Sequence, residues 1–117
     1  MNISVGTDIT EVQRFITLQS HKRFMQNIFT QKEMEQCLNK PSPEQSLAAR
    51  YAAKEAIKKT VEENVRFNII EILNEKDGKP KVNFLDKQIN QKYQTIISLS
   101  HTPQYAVAVC LTYKHDK

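Results

Sequence analysis

Glycine, cysteine and tryptophan are scarce in this sequence, and each scarcity excludes a class of protein or site. Among 117 residues there are two glycines, two cysteines and no tryptophan. Two glycines do not make a glycine-rich phosphate-binding loop, and two cysteines give neither a disulfide framework nor a cysteine-ligated metal site. Cys37 and Cys110 both fall within apolar patterns, and we interpret them as structural thiols.

Long apolar runs are also missing. The longest apolar stretch, residues 105–111, is too short to span a bilayer, and the N-terminus lacks the basic and then apolar pattern of a signal peptide. We therefore expect a cytoplasmic protein without membrane contact. With 39% hydrophobic and 26% charged residues, the composition is that of an ordinary globular protein, and residues 1–117 are expected to form a single domain.

The charge balance is basic. A formal net charge of +4 and a pI near 9.1 favour an acidic partner, which is a phosphorylated cofactor, an acidic protein or a nucleic acid. The basic residues are scattered and no aromatic residues alternate with them, so a surface that stacks nucleic-acid bases is not expected. From charge alone, a non-catalytic α+β module that binds an acidic protein or a nucleic acid is the alternative to an enzyme.

The most definite element is a long helix predicted over residues 42–63. Ser42, Pro43 and Gln45 give its start a cap, a proline in the first turn and the spacing of a capping box. Alanines recur through its body at helical spacing and form a narrow apolar face. Another stretch of backbone can therefore pack closely against this helix.

Charged residues flank the alanine face of the predicted helix. Glu55 and Lys59 stand one turn apart at its edge, where the ordinary interpretation is an i,i+4 ion pair. Arg50 and Lys54 are predicted to project from the far side. A carboxylate and an ammonium group therefore border a packed surface.

The remaining elements follow from hydrophobic periodicity and turn chemistry. They are a strand at 2–5 that runs into Gly6 and Asp8, a helix capped by Thr10, a further helical turn at 24–28, a short helix capped by Thr30, a strand at 67–74, an Asp77-Gly78 turn, a strand at 81–84, a weak helix at 85–94, and strands at 95–100 and 105–113 joined by a turn at 101–104. This order predicts an α+β fold, in which a long central helix packs on a largely antiparallel sheet of about five strands.

Two carboxylates stand out as candidate metal ligands. Asp8 at a strand end and Glu55 on the helix offer hard oxygen atoms that suit Mg²⁺, with phosphate and water filling the other positions. The ordinary alternatives are a turn or helix-cap aspartate for Asp8 and the ion pair for Glu55. The residue types alone leave both interpretations open.

Short motifs spread over nearly the whole chain add context to these carboxylates. They are GTDITEVQRF (residues 6–15), RF (23–24), the F-T-x-x-E pattern (29–33), LAARYAAKEAIKK (47–59), DGKP (77–80) and SLSHTPQYAVA (98–108). In this order and spacing they resemble the holo-acyl-carrier-protein synthases, the small single-domain class of 4′-phosphopantetheinyl transferases.

The resemblance implies a reaction. The enzyme is expected to move 4′-phosphopantetheine from coenzyme A to a serine of acyl carrier protein and to release adenosine 3′,5′-bisphosphate. Asp8 and Glu55 match the Mg²⁺ ligands, and Glu55, or a water that it holds, is a candidate base. Lys59 matches a lysine that neutralises charge on the departing bisphosphate.

The resemblance also implies where the partners bind, and it implies a homotrimer with its site between subunits. The expected coenzyme A contacts are Arg50, Lys59, the backbone at Gly78, Lys79 and Pro80, His101 and Thr102. The expected contacts to the acyl carrier protein are Arg14, Lys22, Arg23 and Phe24.

The sequence departs from the pattern of these synthases at several positions. Thr7 replaces a usually apolar residue, Ala49 a usual glycine and Tyr51 a usual phenylalanine. The segment at 60–67 contains no glycine, whereas a glycine-containing loop is usual after the helix. The resemblance therefore carries no nucleotide contact over to that segment.

Overall fold

The chain places three short helices between its first strand and its longest helix, and strands follow that helix. The computed structural model describes residues 2–116. Its elements are β1 (Ile3–Glu11), α1 (Gln13–Leu18), α2 (Lys22–Ile28), α3 (Gln31–Leu38), α4 (Pro43–Lys58), a 3-10 turn at Phe67–Ile69, β2 (Ile70–Asn74), β3 (Pro80–Phe84), α5 (Lys87–Lys92), β4 (Tyr93–His101) and β5 (Tyr105–Lys114).

The strands form two antiparallel sheets. One sheet has three strands in the order β1-β5-β4, and the other is the β2-β3 hairpin. The predicted α+β fold with antiparallel strands is therefore confirmed, with its strands divided between two sheets. The turn of the hairpin contains Gly78 at φ 86°, a conformation that glycine adopts without a steric penalty, as its Asp77-Gly78 sequence predicts.

The alanine face of α4 packs on the three-stranded sheet, and it does so most closely at β1. Ala52 and Ala56 are completely buried. A Cβ atom on Gly6 would overlap the carbonyl oxygen of Ala56, so the glycine is needed for close approach rather than for an unusual backbone angle. This contact sets the distance between β1 and α4, and these two elements carry Asp8 and Glu55.

Helix α4 is shorter than predicted. It spans 16 residues and ends at Lys58 instead of continuing to residue 63. At the C-terminal end, the Thr60 hydroxyl donates to the Ile57 carbonyl at 2.7 Å. At the N-terminal end, the Ser42 side chain makes no cap bond, so the predicted capping box is wrong. No helix within residues 2–116 combines the length and the apolar character needed to cross a bilayer.

Strand β1 is longer than predicted. It continues to Glu11 because β5 pairs with its whole length, with Asp8 opposite Ala108. Asp8 therefore lies inside a strand, not at its end. Helix α1 starts from Val12 without a side-chain cap, and the Thr10 hydroxyl donates to Asp8 Oδ2 at 3.1 Å instead of capping a helix. The capping box predicted at Thr30, in contrast, is formed with Glu33.

The far side of α4 is covered, so Arg50 and Lys54 do not project into solvent. Lys54 is completely buried, with its ammonium 2.7 Å from Glu33 and donating to the carbonyl of Ile28 at 2.7 Å. Arg50 is 3% exposed and donates to the Ile72 carbonyl at 2.8 Å. Helix α3 and strand β2 lie over this side of α4, and the sequence periodicity of one helix does not reveal such neighbours.

Candidate active site

The close approach of β1 to α4 brings Asp8 and Lys59 together. The ammonium of Lys59 lies 3.5 Å from Asp8 Oδ1 and donates to the carbonyl oxygen of Thr7 at 2.9 Å. The side chain of Asp8 is 21% exposed and that of Lys59 is 58% exposed. The structure thus brings these two candidate site residues together, with Lys59 at the solvent edge.

Glu55 occupies the same region of α4. It directly precedes Ala56, which lies against Gly6, and its side chain is half-buried. Among the described residues its carboxylate makes no ion pair with Lys59, which reaches across to Asp8 instead. The Tyr51 hydroxyl donates to Glu55 Oε2 at 3.0 Å. The i,i+4 ion pair is therefore replaced by an i,i−4 hydrogen bond.

The oxygen atoms of Asp8 and Glu55 suit a divalent cation that is shared with phosphate. Within residues 2–116 no group of three or more histidine, cysteine, aspartate or glutamate side chains gathers around one point. Mg²⁺ is commonly held by one or two carboxylates, with substrate phosphates and waters as its other ligands. The donor set at β1 and α4 fits this kind of site, and it does not fit a zinc or calcium cage.

Tyr51 is held by its neighbours as well as by Glu55. Its ring packs 5.6 Å from the ring of Phe15 and 5.5 Å from that of Phe67, and the Arg14 guanidinium lies over it at 5.3 Å. Burial raises the pKa of Tyr51, and the hydrogen bond and charge of Glu55 add to this shift, while Arg14 opposes it. The phenol therefore keeps its proton at neutral pH and remains a donor.

A cleft of about 890 Å³ lies between the β2-β3 hairpin and β4. Five of the expected coenzyme A contacts line it: Arg50, Gly78, Lys79, Pro80 and His101. Basic side chains that the sequence did not single out also line it, namely Lys40, Lys81 and His115. No aspartate or glutamate is among the described lining residues, so the cleft favours an anionic ligand.

His101 and Thr102 are adjacent but differ in what they can do. His101 is the last residue of β4, not a turn residue as predicted, and it is exposed. The Thr102 hydroxyl accepts from the backbone of Tyr105 at 3.0 Å and of Gln104 at 3.2 Å. Thr102 thus closes the β4-β5 turn, whereas His101 is free to meet a ligand in the cleft.

The residues expected to bind the carrier protein lie on α1 and α2. Arg14, Lys22 and Arg23 are exposed. Phe24 is half-buried, with its ring 6.3 Å from that of Phe15, so it belongs partly to the core. Through its contact with Tyr51, Arg14 connects this basic surface to the site at Glu55.

One prominent surface was missed in the sequence. The outer face of the β1-β5-β4 sheet carries exposed apolar side chains, which we call the apolar sheet face: Ile3, Val5, Ile9, Ile96, Tyr105, Val107, Val109, Leu111 and Tyr113. The signal was present in β5, where these large residues alternate with Ala106, Ala108 and Cys110. The small residues face the alanines of α4, and the large ones therefore face outward.

Comparison with known proteins gives one consistent result. Residues 4–110 match the family model of the 4′-phosphopantetheinyl transferase superfamily. A holo-[acyl-carrier-protein] synthase of Chloroherpeton thalassium is 41% identical and aligns with 93% of this chain and 96% of its own length. The corresponding protein of Chlorobaculum parvum is 40% identical, with coverage of 93% and 97%.

Solved structures agree with the relatives. The crystal structure of the Neisseria meningitidis holo-[acyl-carrier-protein] synthase has a TM-score of 0.80 at 29% identity, covering 94% of this chain and 97% of that one. A Bacillus anthracis holo-(acyl-carrier-protein) synthase in complex with coenzyme A (3′,5′-ADP) has a TM-score of 0.78 at 28% identity, with coverage of 95% and 96%.

Proposed function

Since this chain belongs to the 4′-phosphopantetheinyl transferase superfamily, as an enzyme of its holo-acyl-carrier-protein synthase group, we propose that it transfers phosphopantetheine by a Mg²⁺-dependent route through Asp8, Glu55 and Lys59. The donor is coenzyme A and the acceptor is acyl carrier protein. The observation that carries the proposal is that the ammonium of Lys59 lies 3.5 Å from Asp8 Oδ1, where β1 packs against α4. Because the chain belongs to this family, we no longer favour the alternative of a non-catalytic module that binds an acidic protein or a nucleic acid.

The reaction is a phosphoryl transfer. The oxygen of a carrier serine forms a bond to the phosphorus that bears the pantetheine. The bond from that phosphorus to the bridging oxygen breaks, and adenosine 3′,5′-bisphosphate leaves with the electron pair. Glu55, or a water that Glu55 holds, is the proposed acceptor of the serine proton.

The charges of the site suit this transfer. Asp8 and Glu55 would hold Mg²⁺, which when bound screens the diphosphate and orients it for attack. Lys59, at the solvent edge and 3.5 Å from Asp8, stabilises the negative charge that grows on the leaving bisphosphate. Neither role requires a glycine-rich loop, in agreement with a chain that has only two glycines.

The basic cleft is the proposed site for the nucleotide part of coenzyme A. Lys81 and His101 offer positive or donor groups to its phosphates, and the backbone at Gly78 and Pro80 forms one wall. Arg50 contributes charge, although its guanidinium is already bonded to the Ile72 carbonyl and to Gln36. Thr102 contributes indirectly, because its hydroxyl accepts a hydrogen bond that stabilises the β4-β5 turn next to His101.

The proposed active form is a homotrimer assembled through the apolar sheet face. Val5, Ile9 and Ile96 on this face are 64%, 62% and 62% exposed, which is unusual for adjacent apolar residues on a protein that acts as a monomer. Ile96 also lines the cleft. A neighbouring copy seated on the face would therefore border the cofactor cleft and help to enclose a ligand that one 117-residue chain leaves exposed.

The proposal is tested by incubating the protein with an apo-acyl carrier protein, coenzyme A and Mg²⁺, and then weighing the carrier by mass spectrometry. The carrier is expected to gain the mass of one phosphopantetheine group, and the gain is expected to disappear when EDTA replaces Mg²⁺. A full gain in EDTA would contradict the metal route. No gain with any apo-carrier tried, from protein shown to be folded, would contradict the transfer itself.

A further inference from the structure

Tyr51 makes the only hydrogen bond that the Glu55 side chain receives among the described residues, at 3.0 Å from its hydroxyl to Oε2. We infer that Tyr51 is a positioning residue, which holds the Glu55 carboxylate so that Oε1 faces the divalent cation. The inference rests on the proposed role of Glu55 as a metal ligand. It adds a determinant of metal affinity that lies outside the ligands themselves.

The aromatic ring of Tyr51 cannot easily reorient. Phe15 packs against it at 5.6 Å and Phe67 stacks on it at 5.5 Å, so its hydroxyl is directed at a fixed point one turn along α4. Glu55, in contrast, has several rotatable bonds and stands half-exposed beside the small alanines. The hydrogen bond therefore transfers the rigidity of the aromatic cluster to a side chain that would otherwise sample several rotamers.

Arg14 completes the arrangement. Its guanidinium lies 5.3 Å from the centre of the Tyr51 ring, which is the range of a cation–π contact. The arginine thus covers the ring on the solvent side. Carboxylates that bind metals are themselves commonly hydrogen-bonded by a second layer of groups, and loss of such a group weakens metal affinity.

The hydroxyl is the atom through which Tyr51 contacts the Glu55 carboxylate. Tyr51→Phe is therefore a mild substitution that keeps the ring, its stacking and the contact with Arg14. It removes only the atom that touches Glu55. We expect the variant to fold, and to reach nearly the wild-type turnover once Mg²⁺ saturates it.

The test measures the binding of Mn²⁺ alone to the purified enzyme, by electron paramagnetic resonance of the free ion. Tyr51→Phe is expected to raise the Kd for Mn²⁺ by about tenfold, the low end for loss of a group that supports a metal ligand. In assays, the Mg²⁺ concentration for half-maximal rate is expected to rise while kcat stays nearly constant. The melting temperature is expected to change little.

Tyr93→Phe is the matched control. It also removes a tyrosine hydroxyl that donates to a glutamate, here to Glu63 at 2.7 Å, but Glu63 is not a proposed metal ligand. Its Kd for Mn²⁺ is expected to equal that of the wild type. In a Glu55→Gln background, Tyr51→Phe is expected to have no further effect on Mn²⁺, since the two changes act through one carboxylate.

The outcomes separate this inference from the proposed function. If Glu55→Gln weakens Mn²⁺ binding but Tyr51→Phe leaves it equal or makes it tighter, the positioning role is overturned and the metal site stands. If the wild type binds no Mn²⁺, or if Glu55→Gln and Asp8→Asn bind it normally, the metal site fails and the positioning role fails with it.

Discussion

At the scale of single residues, Asp8 and Glu55 are held in different ways. Asp8 lies within a strand and contacts both Thr10 and Lys59, so its position is fixed by β-pairing and by an ion pair. Glu55 depends on one hydrogen bond from Tyr51. Substituting either carboxylate should therefore affect charge at the site without removing a core contact.

We predict that Asp8→Asn and Glu55→Gln each lower turnover about a hundredfold or more, because a metal ligand contributes several kcal/mol to stabilising charge in the transition state. Steady-state rates at saturating Mg²⁺ measure the effect, and thermal unfolding verifies the fold. Glu35→Gln, an exposed glutamate of α3, is the matched control and should leave the rate unchanged. A folded variant of Asp8 or Glu55 that turns over at nearly the wild-type rate would refute the metal site.

The sequence identified these residues as candidates but did not predict their contacts. Short motifs identify Asp8, Glu55 and Lys59, but the contacts that these residues make depend on how β1 packs against α4. Helical spacing alone pairs Lys59 with Glu55, whereas the structure pairs it with Asp8. The reason is the close packing at Gly6, which brings β1 within reach of Lys59. Local sequence patterns do not predict such a contact between distant parts of the chain.

At the scale of elements, the main surprise is a buried charged network that ties α3 to α4 and β2. Glu33 accepts from Lys54 at 2.7 Å and from the backbone of Ile72 at 2.7 Å, while it also caps α3. Burial lowers the pKa of Lys54, and the charge of Glu33 opposes this shift. The capping role of Glu33 was predicted because it is local, and the ion pair was not because it joins distant elements.

The glycine-free segment at 60–67 is the second feature at this scale whose contacts the sequence did not predict. It is anchored by its own acidic residues: Glu63 accepts from Lys92 and from the Tyr93 hydroxyl, both at 2.7 Å, and Glu62 lies 3.0 Å from Lys114. In this chain the segment fastens the end of α4 to the junction of α5 and β4.

Glu63 should make the stability of this anchor depend on pH. Hydrogen bonds from Lys92 and Tyr93 hold the pKa of Glu63 below its usual value of 4.5. A lowered pKa in the folded state stabilises the fold above the unfolded value, and this stabilisation is lost as the pH falls through the folded value. We predict that Glu63→Gln is less stable than the wild type at pH 7 and that the difference shrinks below pH 4.5.

Urea unfolding at a series of pH values measures this difference. Glu75→Gln, an exposed glutamate of the hairpin turn, should show no comparable dependence on pH. A gap between Glu63→Gln and the wild type that widens with acidity would have the wrong sign and would refute the anchoring role of the carboxylate.

At the scale of the whole molecule, the fold class was predictable and the division into two sheets was not. Alternation in β5 and the turn at Gly78 are local signals that identify strands. Which strands pair is decided by contacts far apart in the sequence, such as β1 with β5. The same limit explains why the apolar sheet face, which extends over three strands, was not foreseen.

The apolar sheet face leads to a prediction about assembly. Leu111 lies between Val5 and Ile96 on this face, so Leu111→Glu places a charge among apolar neighbours. We expect the wild type to be a trimer by light scattering, and the variant to be largely monomeric and poorly active. Leu38→Glu, at an exposed leucine of α3, should leave the oligomer intact. A strictly monomeric wild type with full activity would contradict assembly through this face.

The carrier protein is expected to approach the opposite kind of surface, the basic one on α1 and α2. Arg14 and Arg23 are exposed there, and arginines can hold carboxylates in a bidentate geometry while also steering encounter. We predict that Arg14→Glu and Arg23→Glu raise KM for the carrier far more than KM for coenzyme A. Moderate salt should weaken carrier binding by the wild type in the same way, because it screens exposed charges.

The two arginine variants should nevertheless differ in their Mg²⁺ requirement. Arg23 is exposed on α2, and it is Arg14 rather than Arg23 that lies over Tyr51, so Arg23→Glu should leave kcat at saturating carrier nearly unchanged. Arg14 lies against Tyr51, which holds Glu55, so Arg14→Glu should also shift the Mg²⁺ requirement. Kinetics with each substrate and Mg²⁺ varied in turn distinguish these effects, with Lys32→Glu on α3 as the control for added negative charge. An unchanged carrier KM in both arginine variants would mean that the carrier docks on another face.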